Sequence, residues 1–245
     1  MNDTQTIEKL HSLRLEGMLE ALEEQRRDPN ITQLDFEERL AQLVERQWLW
    51  RENRTLATRL AYANFKIKCS LEEIDYQASR GLKRAQIDQL RTADWIGQNR
   101  NCLILGSTGV GKTFIACALG HQACRDGFRA LYFYAPKLFR ALHVAQADGS
   151  LSRLLKKLKK LDLLIVDDLG IVSVQLQQYR QFLEVLDDRC GSSSTLITSQ
   201  VPVGQWHELI SDATLADAIL DRLVHNAYSL ELKGESMRKK TQTEK

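Results

Sequence analysis

The residues with the clearest chemical meaning are GSTGVGKT at 106–113, which fit the pattern G-x-x-x-x-G-K-[ST]. Backbone N–H groups of such a glycine-rich turn, together with a helix N-terminus, bind phosphate oxygens without obstruction by side chains. Lys112 is then expected to bind the β and γ phosphates of ATP, and the Thr113 hydroxyl to bind Mg²⁺. The predicted nucleotide-binding residues are Gly106, Ser107, Thr108, Gly109, Val110, Gly111, Lys112 and Thr113.

A second chemically informative pair is Asp167 and Asp168, which ends the apolar run LDLLIVD at 161–167. Two adjacent carboxylates at the end of a buried strand repel each other and lose hydration, which costs free energy. Taken alone, the pair is typical of a strand that ends in solvent on an acidic turn. Beside a phosphate-binding loop, Asp167 is expected to hold Mg²⁺ and Asp168 to orient or deprotonate the attacking water. The pair therefore favours NTP hydrolysis over phosphoryl transfer to a small molecule.

The elements that must position these residues are short apolar runs separated by helical stretches. The predicted strands are NCLIL (101–105), ALYFYA (130–135), LDLLIVD (161–167), STLITS (194–199) and YSLEL (228–232). The clearest helices between them are FIACALGHQAC (114–124) and QQYRQFLEVLDDR (177–189). Strands that are apolar on both faces and alternate with helices predict a mostly parallel sheet covered on both sides. The predicted fold class is α/β.

The first eighty residues have a different pattern, with a single proline, Pro29, and a single glycine, Gly17. Apolar residues recur there at helical spacing in two stripes: Leu10, Leu13, Met18 and Leu22, then Phe36, Leu40, Leu43 and Val44. We therefore predict a small all-α N-terminal domain over residues 1–78, a linker over 79–100 and an ATPase domain over 101–245.

Two segments are rich in basic residues. From Trp48 to Lys68, basic residues alternate with aromatic ones, which suits a nucleic acid or an acidic partner. An amphipathic helix with a solvated basic face has the same pattern. The second segment, 151–160, has leucines on one helical face and no acidic residue. Its basic residues are Arg153, Lys156, Lys157, Lys159 and Lys160.

The composition sets wider limits. With 34 basic and 32 acidic residues the net charge is +2, so bulk charge does not indicate a nucleic-acid partner. No apolar run is long enough to cross a bilayer and the N-terminus has no signal-peptide core, which predicts a cytoplasmic protein without a membrane partner. The cysteines, at 69, 102, 117, 124 and 190, form no CxxC pair and are expected to be buried, reduced thiols.

Over nearly its whole length the chain resembles the IstB-like helper ATPases of insertion-sequence transposition. These are relatives of the DnaC helicase loaders and DnaA initiators within the AAA+ class of P-loop NTPases. The resemblance is carried by GSTGVGKTFIACALG, LLIVDDLG, TLITSQVPVGQWHE, LADAILDRLVHNA and GESMRK, with LRLEGMLEAL and EEIDY in the N-terminal region. It implies a five-stranded sheet in which the TLITSQ strand lies between the other two nucleotide-binding strands.

The resemblance also implies that Thr198, Ser199 and Gln200 form the first sensor, which contacts the γ-phosphate or the attacking water. Many relatives carry Asp or Asn where this chain has Gln200, which places that residue's role in doubt. From the residues alone, Thr-Ser-Gln at the end of an apolar strand is an ordinary turn.

Two arginines take roles by the same resemblance. Arg222 would be an arginine finger supplied to the neighbouring subunit, and Arg238 a second sensor for the γ-phosphate of its own subunit. From spacing alone, Arg222 is a surface arginine paired with Asp217 or Asp221, and Arg238 belongs to a solvated basic tail.

The resemblance implies that the insertion between the second and third strands contacts DNA, through the basic residues of 151–160. The expected function is an ATPase, using ATP and Mg²⁺, that forms a homo-oligomer on duplex DNA with little sequence preference and regulates a cognate transposase. A replicative helicase loader shares the same core and is the close alternative. A small-molecule kinase and a nucleotide-gated scaffold with negligible turnover are more distant alternatives.

Overall fold

The computed structural model describes residues 3–77 and 80–237. The chain divides into two compact units, Met1–Thr58 and Arg59–Lys245. This division lies about twenty residues before the predicted end of the N-terminal domain at residue 78.

The first unit is helical, as predicted. Its elements are α1 (Asp3–Ser12), α2 (Glu16–Arg27), a 3₁₀ turn (Ile31–Gln33) and the greater part of α3 (Phe36–Ala63). Helix α2 crosses α3 closely at Gly17, where an added Cβ would lie 2.7 Å from the Arg46 carbonyl oxygen. Beside this crossing, the Met18 N–H donates to Gln47 Oε1 at 3.1 Å. The two helices therefore meet through a glycine and a buried amide.

The second predicted apolar stripe does not form the buried face of this unit. Phe36, Leu40 and Val44 are 75 %, 41 % and 54 % exposed, respectively, along one side of α3. Small and polar side chains, among them Ala21 and Gln25, are buried instead. Close helix contact at Gly17 leaves no room for larger side chains at the crossing, so the apolar spacing did not identify the contact face.

The second unit contains the predicted parallel five-stranded sheet. Its strands are β1 (Asn101–Gly106), β2 (Ala130–Tyr134), β3 (Leu163–Leu169), β4 (Ser194–Ser199) and β5 (Ala227–Leu232). They lie in the order β2-β3-β4-β1-β5, and each neighbouring pair is parallel. Strand β4 lies between β1 and β3, as the family resemblance implied. The carboxyl ends of β1, β3 and β4 therefore meet at one edge of the sheet.

Helices cover both faces of this sheet. The helices of the second unit, after the end of α3, are α4 (Arg84–Arg91), α5 (Asp94–Gly97), α6 (Lys112–Arg125), α7 (Ala135–Ala147), α8 (Leu151–Lys159), α9 (Leu176–Arg189), α10 (Trp206–Ile210) and α11 (Ala213–Val224), with 3₁₀ turns at Leu71–Glu73 and Val203–Gln205. On one face, Gly120 of α6 packs so closely that an added Cβ would lie 2.7 Å from Ile165 Cδ1 of β3. On the other face, Val166 belongs to a core cluster with Leu138 of α7 and Phe182 of α9.

The predicted linker covers residues 79–100, and from Arg80 onward these residues are largely structured within the second unit. Helices α4 and α5 bury Ile87, Leu90, Trp95 and Ile96. The Trp95 indole donates to the Leu90 carbonyl at 3.2 Å. The turn-like residues around Gly81 suggested a linker, but the apolar side chains that follow them pack into the second unit.

Among the described residues, no helix is both long enough and apolar enough to cross a bilayer. Cys69, Cys102, Cys117 and Cys124 are buried, as predicted, whereas Cys190 is exposed. Burial raises the pKa of the Cys102 thiol to about 12, so it stays protonated at neutral pH.

Candidate nucleotide-binding site

The phosphate-binding loop joins β1 to α6 and has a backbone that requires glycine. Gly106 has φ +147°, and an added Cβ there would lie 2.2 Å from the Leu232 carbonyl oxygen. Gly111, with φ +99°, precedes α6, which begins at Lys112. Side chains at these positions would clash with neighbouring atoms or strain the backbone. The loop thus forms a cradle at the N-terminus of a helix in which the glycines expose the backbone without a Cβ atom, which fits a phosphate group.

The Lys112 ammonium lies inside this cradle. Its Nζ donates to the carbonyl oxygens of Gly106 at 2.8 Å and Ser107 at 2.9 Å. The side chain is buried, so its positive charge is concentrated at the loop. A helix N-terminus and a buried ammonium together make this an anion-binding position.

Asp167 lies at the carboxyl end of β3 with none of its surface exposed. The Thr113 hydroxyl is 3.0 Å from both carboxylate oxygens, and the Tyr132 and Thr198 hydroxyls each donate to it at 2.7 Å. Lys66 Nζ lies 3.9 Å from Asp167 Oδ2. Thr113 and Asp167, the two residues predicted to hold Mg²⁺, therefore lie side by side. A carboxylate beside a hydroxyl supplies the oxygen ligands that Mg²⁺ prefers, so this donor set fits the ion.

Asp168, although adjacent, lies in a different environment. Its backbone has φ +60°, uncommon for a residue other than glycine, and its N–H donates to Thr198 Oγ1 at 2.8 Å. The pairing of β3 with β4 shifts register between Val166 and Leu169, so the strand is irregular here. Asp167 consequently stays buried while Asp168 faces the nucleotide cavity.

The cavity beside the loop has a volume of about 360 Å³. Among the residues that line it are Thr108, Lys112, Thr113, Asp168, Gln200 and Met237. The Thr108 hydroxyl donates to Gln200 Oε1 at 2.7 Å, which joins the loop to the end of β4. The loop, the acidic strand end and the end of β4 thus surround one cavity.

The three predicted sensor residues are placed differently. Thr198 and Ser199 are fully buried, and their hydroxyls donate to Asp167 and to the Leu169 carbonyl, at 2.7 Å and 2.8 Å. Gln200 is the one of the three that lines the cavity. A sensor contact with the nucleotide stays a prediction, and Gln200 is the residue placed to make it.

The two predicted arginines lie away from this cavity or outside the description. Arg222 forms ion pairs with Asp187 and, at 3.6 Å, with Asp221. Asp217, the other predicted partner, instead lies 3.5 Å from His207. Arg238 lies outside the described residues, so its sensor role stays a prediction.

Two residues near Asp167 were not predicted from the sequence. Tyr132 reaches the carboxylate from β2, and burial together with its hydrogen bond to Asp167 raises the pKa of its phenol. Lys66 lies after the end of α3, and its Nζ is also 5.4 Å from the centre of the Tyr134 ring. Lys66 had been grouped with the basic and aromatic residues of 48–68. Its position at residue 66 gave no signal of a contact with Asp167.

The basic residues of α8 form part of a groove with α7. This groove, about 610 Å³ in volume, is lined by cationic side chains from both helices: Lys137, Arg140, Arg153 and Lys157. Lys156 and Lys160 line an adjoining depression with Arg153 and Lys157. Lys159 points elsewhere, to an ion pair with Asp188 at 3.2 Å. Of the residues predicted to contact DNA, Lys159 therefore does not line this surface. Cations of α7 do line it, and they lie outside the predicted segment 151–160.

The parallel sheet in this order, with a phosphate-binding loop after β1 and an acidic pair near the carboxyl end of β3, defines a P-loop NTPase of the AAA+ class. Residues 8–245 match the family model for the IstB-like ATP-binding protein. The chain belongs to this family, as the sequence motifs indicated.

The chain is similar to several insertion-sequence proteins. It is 46 % identical over 234 residues to the insertion sequence ATP-binding protein y4pL of Sinorhizobium fredii, covering 96 % of each chain. It is also 46 % identical over 198 residues to the ATP-binding protein of insertion sequence IS1162 from Pseudomonas fluorescens, covering 80 % of this chain and 86 % of that one.

Solved structures with the same fold include replication proteins. The DnaI structure aligns with a TM-score of 0.58 at 23 % identity, covering 72 % of this chain and 94 % of that one. The DnaC helicase loader aligns at 0.51 and 19 % identity, covering 71 % and 99 %. DnaA bound to AMPPCP and single-stranded DNA aligns at 0.56 and 18 % identity, covering 74 % and 56 %. At these identities the similarity establishes the fold alone.

Proposed function

We propose that this protein is an ATPase that binds duplex DNA when it holds ATP, forms a homo-oligomer on that DNA and regulates the transposase of its insertion sequence. The observation that carries the proposal is the connection between the cationic α7–α8 groove and the nucleotide site. Helix α8 ends at Lys159, and β3, which begins at Leu163, carries Asp168 to the cavity near its carboxyl end. One short stretch of chain therefore joins the two surfaces.

At the nucleotide site, the position of each side chain indicates its proposed role. The loop and Lys112 bind the phosphates, while Thr113 and Asp167 hold Mg²⁺, which would neutralise negative charge on the phosphate oxygens when bound. Asp168 faces the cavity and orients or deprotonates the attacking water. Gln200, hydrogen bonded to Thr108, senses the nucleotide from the end of β4.

At the proposed DNA surface, the excess of positive charge favours an anionic partner. The groove carries two cations from α7 and two from α8, and Asp148 is the acidic residue that lines it. Lysine and arginine side chains in such a groove bind phosphates, which carry no sequence information. We therefore propose binding to the duplex backbone with little sequence preference.

The transposase is proposed as partner because of family membership. Relatives at 46 % identity are named as insertion sequence ATP-binding proteins, whereas the DnaC helicase loader shares the fold at 19 % identity. A helicase loader would bind the replicative helicase ring instead. The identity of the protein captured together with DNA and ATP therefore separates these functions.

The proposal is tested by measuring phosphate release with and without duplex DNA, and by pull-down on DNA with ATP, ADP or a slowly hydrolysed analogue. We expect DNA to stimulate hydrolysis, and ATP or the analogue to promote assembly that retains added transposase. Lys112→Ala should abolish ATP binding and ATP-dependent assembly, because the phosphates lose their principal cation. Undiminished ATP affinity in that variant would show that the loop is not the nucleotide site.

The DNA surface is tested by replacing Lys156, Lys157 and Lys160 with Gln. Binding should weaken uniformly across sequences, and the slope of log affinity against log salt should fall by about 0.9 per lost phosphate contact. The matched control compares Lys157→Gln with Lys159→Gln, since each removes one charge from α8 but Lys159 lies outside the groove. Equal effects of these two single changes would indicate general charge attraction rather than a defined groove.

A further inference from the structure

Arg80 holds a buried guanidinium group directly behind the phosphate-binding loop. The residue is 4 % exposed, although it belongs to a segment with the composition of a linker. Its Nη1 donates to the Val110 carbonyl at 3.2 Å, and its Nη2 donates to the Asp75 carbonyl at 2.6 Å. Within the described residues, its Nε has no hydrogen-bond partner. An added Cβ on Gly111 would lie 2.5 Å from Nη1, so the guanidinium is packed against the loop backbone.

The hydrogen bond to Val110 constrains the loop. The carbonyl of Val110 and the N–H of Gly111 belong to one planar, trans peptide unit, so they point in opposite directions. Because the carbonyl is held toward Arg80, the Gly111 N–H points away from Arg80, and Gly111 lines the nucleotide cavity. The backbone of Arg80 is itself fixed, since its carbonyl accepts from the Lys233 N–H at 2.9 Å.

The charge of Arg80 is also costly where it lies. Its hydrogen bonds go to backbone carbonyls, which satisfy N–H groups without neutralising a full positive charge. Burial lowers the pKa of the guanidinium more than the charge of Asp75 raises it, so the positive charge is only partly compensated, and arginine remains protonated at neutral pH. A polyanion bound on the other side of the loop would offset this cost.

We propose that Arg80 is a positioning residue for the nucleotide. It fixes the Val110–Gly111 peptide and places a positive charge behind the loop. The free-energy cost of burying that charge is offset when phosphates bind. This inference rests on the proposed nucleotide site, and it does not depend on hydrolysis or DNA binding.

The test uses Arg80→Met in the full chain, with Arg84→Met as the matched control. Arg84 is exposed, and its side chain forms a 3.9 Å ion pair with Asp88 and a 5.8 Å contact with the Tyr76 ring. Affinities for ATP and ADP are measured by calorimetry, and thermal unfolding is followed without nucleotide. We expect Arg80→Met to weaken ATP binding about tenfold or more, with a smaller loss for ADP because it carries less charge. The control should bind both nucleotides as the unaltered protein does.

The unfolding temperature separates positioning from a structural role. Methionine removes a buried charge while keeping much of the volume, so the nucleotide-free protein should unfold at the same or a higher temperature. Arg80→Lys keeps the charge without the planar fork, and should recover part of the ATP affinity. Unchanged ATP affinity in Arg80→Met would overturn the proposal, as would a loss of affinity accompanied by a lower unfolding temperature in both variants.

Lys112→Ala makes the two proposals distinguishable. If Lys112→Ala loses ATP binding while Arg80→Met keeps it, the nucleotide site stands and the role of Arg80 is wrong. If Lys112→Ala binds ATP normally, the site itself is misassigned and the proposal for Arg80 fails with it.

Discussion

The two adjacent aspartates at the end of β3 show how one residue step separates two chemical environments. Asp167 is enclosed by hydroxyl groups from Thr113, Tyr132 and Thr198, which stabilise its charge away from water. Asp168, with its positive φ, faces the cavity. Backbone strain of this kind is common where a side chain must be aimed at a reacting group. The cost of placing two negative charges side by side is thus reduced, because the two side chains have separate surroundings.

Asp168→Asn tests this division of roles. The neutral amide keeps the size of the side chain but is a poor base, so hydrolysis should slow by about 10² to 10⁴ while ATP affinity stays nearly unchanged. Phosphate release and calorimetry measure the two effects. Asp126→Asn, on an exposed residue that accepts from Gln122 at the end of α6, is the control and should alter neither. A parallel loss of ATP affinity and turnover in Asp168→Asn would contradict the separation of binding from catalysis.

At the scale of single residues, the site residues that could be predicted from the sequence are those that lie within a continuous motif. The loop at 106–113 and the aspartates near the end of β3 are recognisable because their spacing along the chain is itself the signal. Tyr132 and Arg80 meet their partners across 35 and 30 residues of chain, so only the folded structure brings them to the site. Lys66 likewise reaches Asp167 from a distant segment.

At the scale of elements, the strands were predictable because each is a short apolar run between helical stretches. The β-sheet order followed from the family resemblance rather than from apolar patterning. The helices of the first unit were also predictable, but their contact face was not. Apolar periodicity indicates which side of a helix is apolar, whereas the α2–α3 contact depends on close approach at Gly17 and on buried amides such as Gln47.

Gly17→Ala tests the close crossing of α2 and α3. The new Cβ would lie 2.7 Å from both the Arg46 carbonyl oxygen and Trp50 Cβ, so the helices must separate. Overpacking of this kind should lower the free energy of unfolding by about 1–3 kcal/mol, measured by denaturant titration.

The control for this change is Gly97→Ala, where an added Cβ has no atom within 4 Å among the described residues. Since alanine favours a helix over glycine by about 1 kcal/mol, that variant should be neutral or slightly more stable. Equal stability of Gly17→Ala and the unaltered protein would show that α2 and α3 are not in close contact in solution.

At the scale of the whole molecule, the predicted domain boundary differs from the boundary between the two compact units. The reason is that the composition around residue 80 is typical of a linker, whereas the described residues there are packed. Arg80 and Gly81 have the composition of a turn, yet Arg80 is buried against the loop, and α4 and α5 pack into the second unit. The unit that begins at Arg59 therefore includes the segment carrying Lys66, which contacts Asp167. Parts of the chain predicted to bind partners or to serve as linkers thus contribute side chains to the nucleotide site.

The role predicted for Arg222 depends on assembly between subunits. In the single chain, Arg222 forms ion pairs with Asp187 and Asp221. The pair with Asp221 is one of the surface pairings that spacing alone favoured. An arginine finger would have to leave these carboxylates to reach a neighbouring nucleotide site. Because Arg222 is partly exposed, little packing opposes that exchange. Its role between subunits therefore needs a test in which two different chains share one site.

Mixing two inactive variants supplies that test. Arg222→Ala should lose DNA-stimulated hydrolysis, since arginine fingers contribute about 10³ to 10⁵ in rate, while still binding ATP through Lys112 and Thr113. Arg180→Ala, at an exposed position of α9, is the control and should keep its stimulation. Adding Lys112→Ala protein to Arg222→Ala protein should restore part of the turnover, because a mixed boundary pairs an intact phosphate site with an intact arginine. If Arg222 acts within its own chain, or serves only as the partner of Asp187, no mixed boundary can combine both functions. Failure of rescue in mixtures shown to co-assemble would then leave the nucleotide site in place but remove the arginine finger.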